Sequence, residues 1–171
     1  QDRDNSEEAK TKKAQRYDAA LNYDQKFGDV GVKAMANYLV KHGAGALEET
    51  QMTGAVKVSF MNFDLSGAYT ATEMKLAGDD VEKIQMFAAA SYKLDAHKLS
   101  LAYAMKEFEI KETDKTKTEQ SQLSLGYEYA FNANVAGTFT GSMVTVEDKS
   151  ATDPEKKNDA TVLTTGLRVT F

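Results

Sequence analysis

At 171 residues and a formal net charge of −5, the chain is long enough for one domain and lacks the basic footprint of a nucleic-acid binder. It has no cysteine, which excludes disulfides, thiolate zinc sites and cysteine nucleophiles. No apolar run approaches the ~18 residues of a membrane-crossing helix, but a mean hydropathy of −0.51 is compatible with a β-barrel, where only every second residue must be apolar.

Residues 1–13 open on Gln1-Asp2-Arg3-Asp4-Asn5, without Met or a signal peptide. They are charged and aperiodic, as expected of a solvated loop remnant or tail. Residues 14–171 divide into nine runs of alternating residues, at 14–27, 29–41, 50–62, 64–76, 82–94, 97–110, 119–131, 134–147 and 159–171. The fifth run sets Ile84, Met86, Ala88, Ala90, Tyr92 and Leu94 against Gln85, Phe87, Ala89, Ser91 and Lys93. The seventh sets Leu123, Leu125, Tyr127, Tyr129 and Phe131 against Gln122, Ser124, Gly126 and Glu128. Period two is the pattern of a strand with two unlike faces.

Connections alternate too. Short turns are expected at Lys26–Asp29, Asn62–Asp64, Leu94–His97 and Asn132–Asn134, and long polar loops at Lys41–Gln51, Ala77–Lys83, Lys111–Glu119 and Glu147–Asp159. Runs of roughly 12–14 residues exceed the mean soluble strand of about 5–6 and suffice for a tilted strand to cross a bilayer. Tyr23, Phe27, Phe60, Phe63, Tyr92, Tyr129, Phe131 and Phe171 gather toward the short turns; Tyr17, Tyr38, Tyr69, Tyr103 and Phe108 gather toward the long loops. Two aromatic belts fit two membrane interfaces, with Tyr23, Phe60, Tyr92, Tyr129 and Phe131 at the short-turn one. The expected fold is an all-β, antiparallel, up-and-down transmembrane β-barrel contributing about nine strands, with short periplasmic turns and long extracellular loops.

Nine is an odd number, and single-chain bacterial barrels have even counts. Nine strands alone would leave two ladder edges in lipid, so the missing strands are expected from another polypeptide, the N-terminal fragment of the same barrel. The alternatives are a strand overlooked in residues 1–13 or a complete eight-stranded barrel.

The closing Gly166-Leu167-Arg168-Val169-Thr170-Phe171, with the meander before it, resembles the Gram-negative general porins, whose chains end Gly-Leu-Arg-x-x-Phe. The resemblance implies a trimer of 16-stranded barrels, of which these strands would be the eighth to sixteenth, with the break in the fourth extracellular loop and the family's constriction loop outside this chain. It also implies that Phe171 is the signal read by the barrel-assembly machinery, and that the partners are outer-membrane lipid and lipopolysaccharide.

Because lysine at mid-membrane costs roughly 2–4 kcal/mol on the lipid face, the polar parity is expected to line the lumen. This assigns Asp18, Asn22, Asp24, Lys33, Asn37, Lys57, Ser59, Gln85, Lys93, Lys98, Lys106, Gln122, Glu128 and Arg168 to it, among small residues such as Ala102, Thr138 and Ser142. The pore-lining candidates are Lys33, Lys57, Lys98, Lys106 and Arg168, opposed by Asp18 and Glu128; such a row biases ion flow. The competing reading is of solvated wall residues with no share in selectivity. His42 and His97 lack ligand spacing, and Asp148, Asp153, Glu155 and Asp159 read as solvated loop acids. No nucleophile–base pair, cofactor motif or metal cluster stands out. Passive diffusion of small hydrophilic solutes leads; a small closed barrel with a structural or adhesive role in its loops, and a soluble ligand-binding barrel, are the competitors.

Overall fold

The structure, a computed structural model, describes residues 15–43, 48–76, 79–111, 116–149 and 156–170. These form nine strands: β1 (Gln15–Phe27), β2 (Val30–His42), β3 (Glu48–Phe60), β4 (Phe63–Leu76), β5 (Asp79–Leu94), β6 (His97–Ile110), β7 (Lys117–Ala130), β8 (Val135–Lys149) and β9 (Lys156–Val169). All lie in one antiparallel sheet in strict chain order, with β1 and β9 at its edges. Residues 1–13 and Phe171, on which the expected tail and assembly signal fall, lie outside the described residues.

Three of the four short turns are tighter than the alternation predicts, and the fourth is longer, leaving residues 131–134 between β7 and β8. Phe27 pairs with Val30, Phe60 with Phe63 and Leu94 with His97, leaving two-residue loops at Gly28-Asp29, Met61-Asn62 and Asp95-Ala96. Gly28, Met61 and Asp95 have φ of 60°, 51° and 52°, the left-handed first position that matches hairpin twist. The turn expected at Asn62–Asp64 therefore comes earlier, and Asp64 is the second residue of β4. The long connections are shorter than expected, because β3, β5, β7, β8 and β9 all extend into them.

The described residues pack no second layer on the sheet. Among the described residues only Leu39, Val81 and Ala136 are buried hydrophobics, and no large side chain is fully buried. Leu21 is 74% exposed and Leu163 68%. An apolar surface spread over nine strands far exceeds the few hundred Å² that a soluble monomer tolerates, so lipid or another apolar phase must cover it.

Candidate functional site: the charged face of the sheet

Cross-strand partners share a face, so the ladder decides which side chains meet. Lys33 opposes Lys57, Lys57 opposes Ser66, Gln85 opposes Lys106, Lys106 opposes Gln120 and Ala136 opposes Arg168. Followed across the sheet, the register puts all fourteen polar residues assigned to the lumen on one face. Thr138, Thr140, Ser142 and Ser124 share it, and Ser124 and Ser142 hydroxyls meet at 2.8 Å.

Within that face the seven pore-lining candidates fall into separate groups. Lys33 donates to Asp24 Oδ2 at 2.7 Å, and Lys57 to Asp64 Oδ2 at 3.0 Å, while Ser59 Oγ donates to Asp64 Oδ1 at 2.6 Å. Further along the same end, Lys98 opposes Glu128, whose Oε1 accepts from Arg168 Nη2 at 2.9 Å. Asp18 lies at the other end of β1, accepting from Asn37 Nδ2 at 2.6 Å and Arg16 Nη2 at 3.0 Å. Lys106 stands between Gln85 and Gln120. Asp64 was missed as a member of this face because its neighbours read as a turn; its parity with Ser66 and Ala68 was the signal.

The opposite face carries most of the aromatics; Phe87, paired with Ala68 and Ala104, stands on the polar face. Phe63 and Tyr92 meet in a tilted contact at 4.4 Å and Tyr129 and Phe131 edge to face at 5.2 Å, with Phe60 opposite Phe63 and Tyr23 opposite Ala34. His97 sits inside this belt, with its ring 5.0 Å from that of Tyr129 and Nδ1 2.8 Å from the Tyr127 hydroxyl. Tyr38, Tyr69 and Tyr103 are on the same face toward the long loops. Phe108 is not: it pairs with Lys83 and Thr118 on the polar face.

Phe108 marks an inversion that period two hides. Beyond Ala71, Ile84, Met105, Ser121 and Thr161 the apolar face turns charged, carrying Glu73, Glu82, Glu107, Glu119 and Asp159. The polar face there turns apolar, with Met74, Val81, Phe108, Ile110, Val144 and Val146. The charges interlock. Lys117 donates to Glu107 at 2.9 Å and Glu119 at 3.0 Å, Lys149 bridges Glu119 and Glu147 at 3.1 and 3.4 Å, and Lys111 is paired with Glu82. Hydrogen bonds from Lys117 and then Lys149 hold the Glu119 carboxyl below its usual range, and their glutamate acceptors raise both lysines.

His42 Nδ1 is 3.5 Å from Glu48, and Asp159 accepts from Thr145 Oγ1 at 2.7 Å; Asp153 and Glu155 lie outside the described residues. Among the described residues no three His, Asp or Glu side chains are grouped to hold a metal.

The sequence model for Gram-negative porins matches residues 1–163. No curated protein sequence matches. Among solved structures the chain is similar to the outer-membrane-expressed OmpT of Vibrio cholerae, at 14% identity and a TM-score of 0.65, over 91% of this chain and 56% of that one. The alcaligin outer-membrane receptor FauA of Bordetella pertussis matches at 14% and 0.64, over 92% and 33%. The anion-selective porin of Comamonas acidovorans matches at 18% and 0.56, over 90% and 47%. The chain thus spans about half the length of the porin and OmpT structures and a third of the receptor. These likenesses are of fold.

Proposed function

This chain belongs to the Gram-negative porin family and is an outer-membrane protein, and we propose that its polar face is the wall of a water-filled pore for passive diffusion of small hydrophilic solutes and ions. The observation that carries this is the single-faced placement of every lumen-assigned side chain over nine registered strands. Lipid on that face would meet Lys33, Lys57, Lys98 and Arg168; lipid on the other meets leucines, alanines and a belt of rings.

The inversion supports one position for the membrane. Ile84–Leu94, His97–Met105 and Ser121–Tyr129 keep an uncharged outer face and are close to the ~9–11 residues that a tilted strand needs. The ion-paired ends beyond them stand in the headgroup layer or in water, among lipopolysaccharide. The short turns then face the periplasm.

β1 and β9 are both edges, and among the described residues they do not pair with each other. An open ladder edge in hydrocarbon is prohibitively costly, so further strands must complete the barrel. We assign these to the N-terminal portion of the same precursor, giving a 16-stranded barrel; the half-length match to the Comamonas porin supports this. A homotrimer is favoured by a trimeric form of the V. cholerae OmpT, to which the chain is similar at 17% identity and a TM-score of 0.59. The small closed barrel loses ground on the same edges.

Planar-bilayer conductance of the outer-membrane assembly tests the reading. Stable open steps that scale with bulk salt conductivity are expected; a folded, inserted protein that passes no current refutes it.

A further inference from the structure

The β5–β6 and β7–β8 turns lie side by side at the short-turn rim, joined by the Ala130 N–H donating to the Ala96 carbonyl at 2.8 Å. Beside them opens a cavity of about 340 Å³ whose lining includes Lys93, Lys98, Glu128, Asn132 and Arg168. Lys93 and Lys98 are direct cross-strand partners, which sets their Cβ atoms about 4.5–5.5 Å apart, where like charges repel. Among the described residues neither ammonium has an ion-pair partner. Glu128 is engaged by Arg168, and Asp64 by Lys57 and Ser59. The Asn132 side-chain oxygen accepts from the backbone N–H groups of Asn134 and Val135, both at 2.9 Å, so its NH₂ is a donor the turn does not use.

Glu128 is the one carboxylate in the lining, against Lys93, Lys98 and Arg168. Asp64, already held by Lys57 and Ser59, is outside the lining and only near enough to Lys98 to feel its charge, so the cavity keeps an excess of positive charge. We propose that this rim cavity binds a compact, doubly charged oxyanion of the sulfate or hydrogenphosphate type, seated between Lys93 and Lys98 with Arg168 and Asn132 beside it. A dianion neutralises both charges, and its several oxygens accept from several donors at once, which chloride cannot do. The proposal rests on the polar face being the water-filled one, so the ligand is a free solute rather than a lipid headgroup.

Calorimetric titration of the detergent-purified outer-membrane assembly with sodium sulfate and with inorganic phosphate, at ionic strength fixed by chloride, tests the site. Both anions bind; phosphate tightens as pH rises through its second ionisation, and sulfate does not change. K93Q and K98Q each weaken sulfate about tenfold, the effect of losing one hydrogen bond to a charged group. K93R/K98R, which keeps the charge, retains binding and K83Q is unaffected; circular dichroism verifies that each variant is folded. Unchanged affinity in K93Q and K98Q overturns the proposal, as does displacement of sulfate by phosphatidylglycerol micelles, which would make the ligand a headgroup. Bilayer conductance of the same samples separates the two readings. Sulfate binding without current sinks the pore alone, and current without sulfate binding sinks this site alone.

Discussion

Lys33 and Lys57 face each other across β2 and β3, yet each is drawn aside onto its own carboxylate, Asp24 at 2.7 Å and Asp64 at 3.0 Å. All four side chains are at least a third exposed, and such pairs contribute only about 0–1 kcal/mol to stability. Their consequence is the local field along the polar face. D24N/D64N leaves two uncompensated lysines and K33Q/K57Q two uncompensated aspartates. In a potassium chloride gradient the reversal potential is expected to move toward anion preference in the first and cation preference in the second, with thermal stability little changed. Equal potentials in both would mean that these residues are solvated wall and nothing more.

The Glu107–Lys117–Glu119–Lys149 chain sets a pH window. Glu119 has its folded pKa lowered, so its contribution is present above its unfolded value and lost as pH falls through the folded one. Lys117 and Lys149 are raised, so theirs is present below their unfolded values and lost as pH rises through the folded ones. The melting-temperature gap between wild type and E119Q should therefore be flat from about pH 6 to 9 and close on both sides. A gap independent of pH would assign it to packing.

How the sequence revealed one half of this pattern and hid the other follows from the same residues. Where a strand crosses lipid, one parity must be apolar, and runs such as Ile84–Leu94 announce themselves. Beyond the membrane that constraint lapses: Glu82, Glu119 and Glu147 stand on the parity that carries Ile84, Leu123 and Met143 below. Period-two reading therefore starts three strands late, at residues 50, 82 and 159, and leaves Glu48-Glu49, Asp79–Val81 and Lys156–Asn158 to the loops. Phe108 was placed in the outer belt for the same reason, because one parity was carried past the inversion. Asp64 was lost to a turn assigned one step late, since Asn62 is a turn former and nothing marks Met61 as one.

The boundary predicts unequal costs along one strand. Leu101 lies mid-height on the apolar face between Ala90 and Leu125, while Glu109 lies beyond the inversion between Glu82 and Lys117. L101R should cost about 2–4 kcal/mol and E109K about 0–1, measured by urea unfolding from lipid vesicles. Similar costs would remove the inversion as a membrane marker.

Met61 holds φ of 51° at the first position of the β3–β4 turn, where Gly28 and Asp95 do the same work in their hairpins. A side chain there costs roughly 1–2 kcal/mol relative to glycine, less for asparagine, and Met61 is 74% exposed, so little packing is lost on replacement. M61G and M61N are each expected to raise folding stability by up to about 1 kcal/mol, read from the same unfolding assay. A loss on both substitutions would show that the methionine side chain, and not its backbone, holds the turn.

The edges supply the sharpest test of completion. In the sheet as described, β1 bonds only to β2 and β9 only to β8, so the amides on their outer sides have no ladder partner. β5 is bonded on both sides. If further strands close the barrel, the outer amides of β1 and β9 exchange hydrogen as slowly as those of β5, because each is then paired and shielded by lipid. If the sheet ends at β1 and β9, those amides exchange orders of magnitude faster while the inner ones stay protected. Hydrogen–deuterium exchange of the vesicle-embedded assembly, resolved over Gln15–Phe27 and Lys156–Val169, decides between them, and fast exchange at both edges would refute a completed barrel.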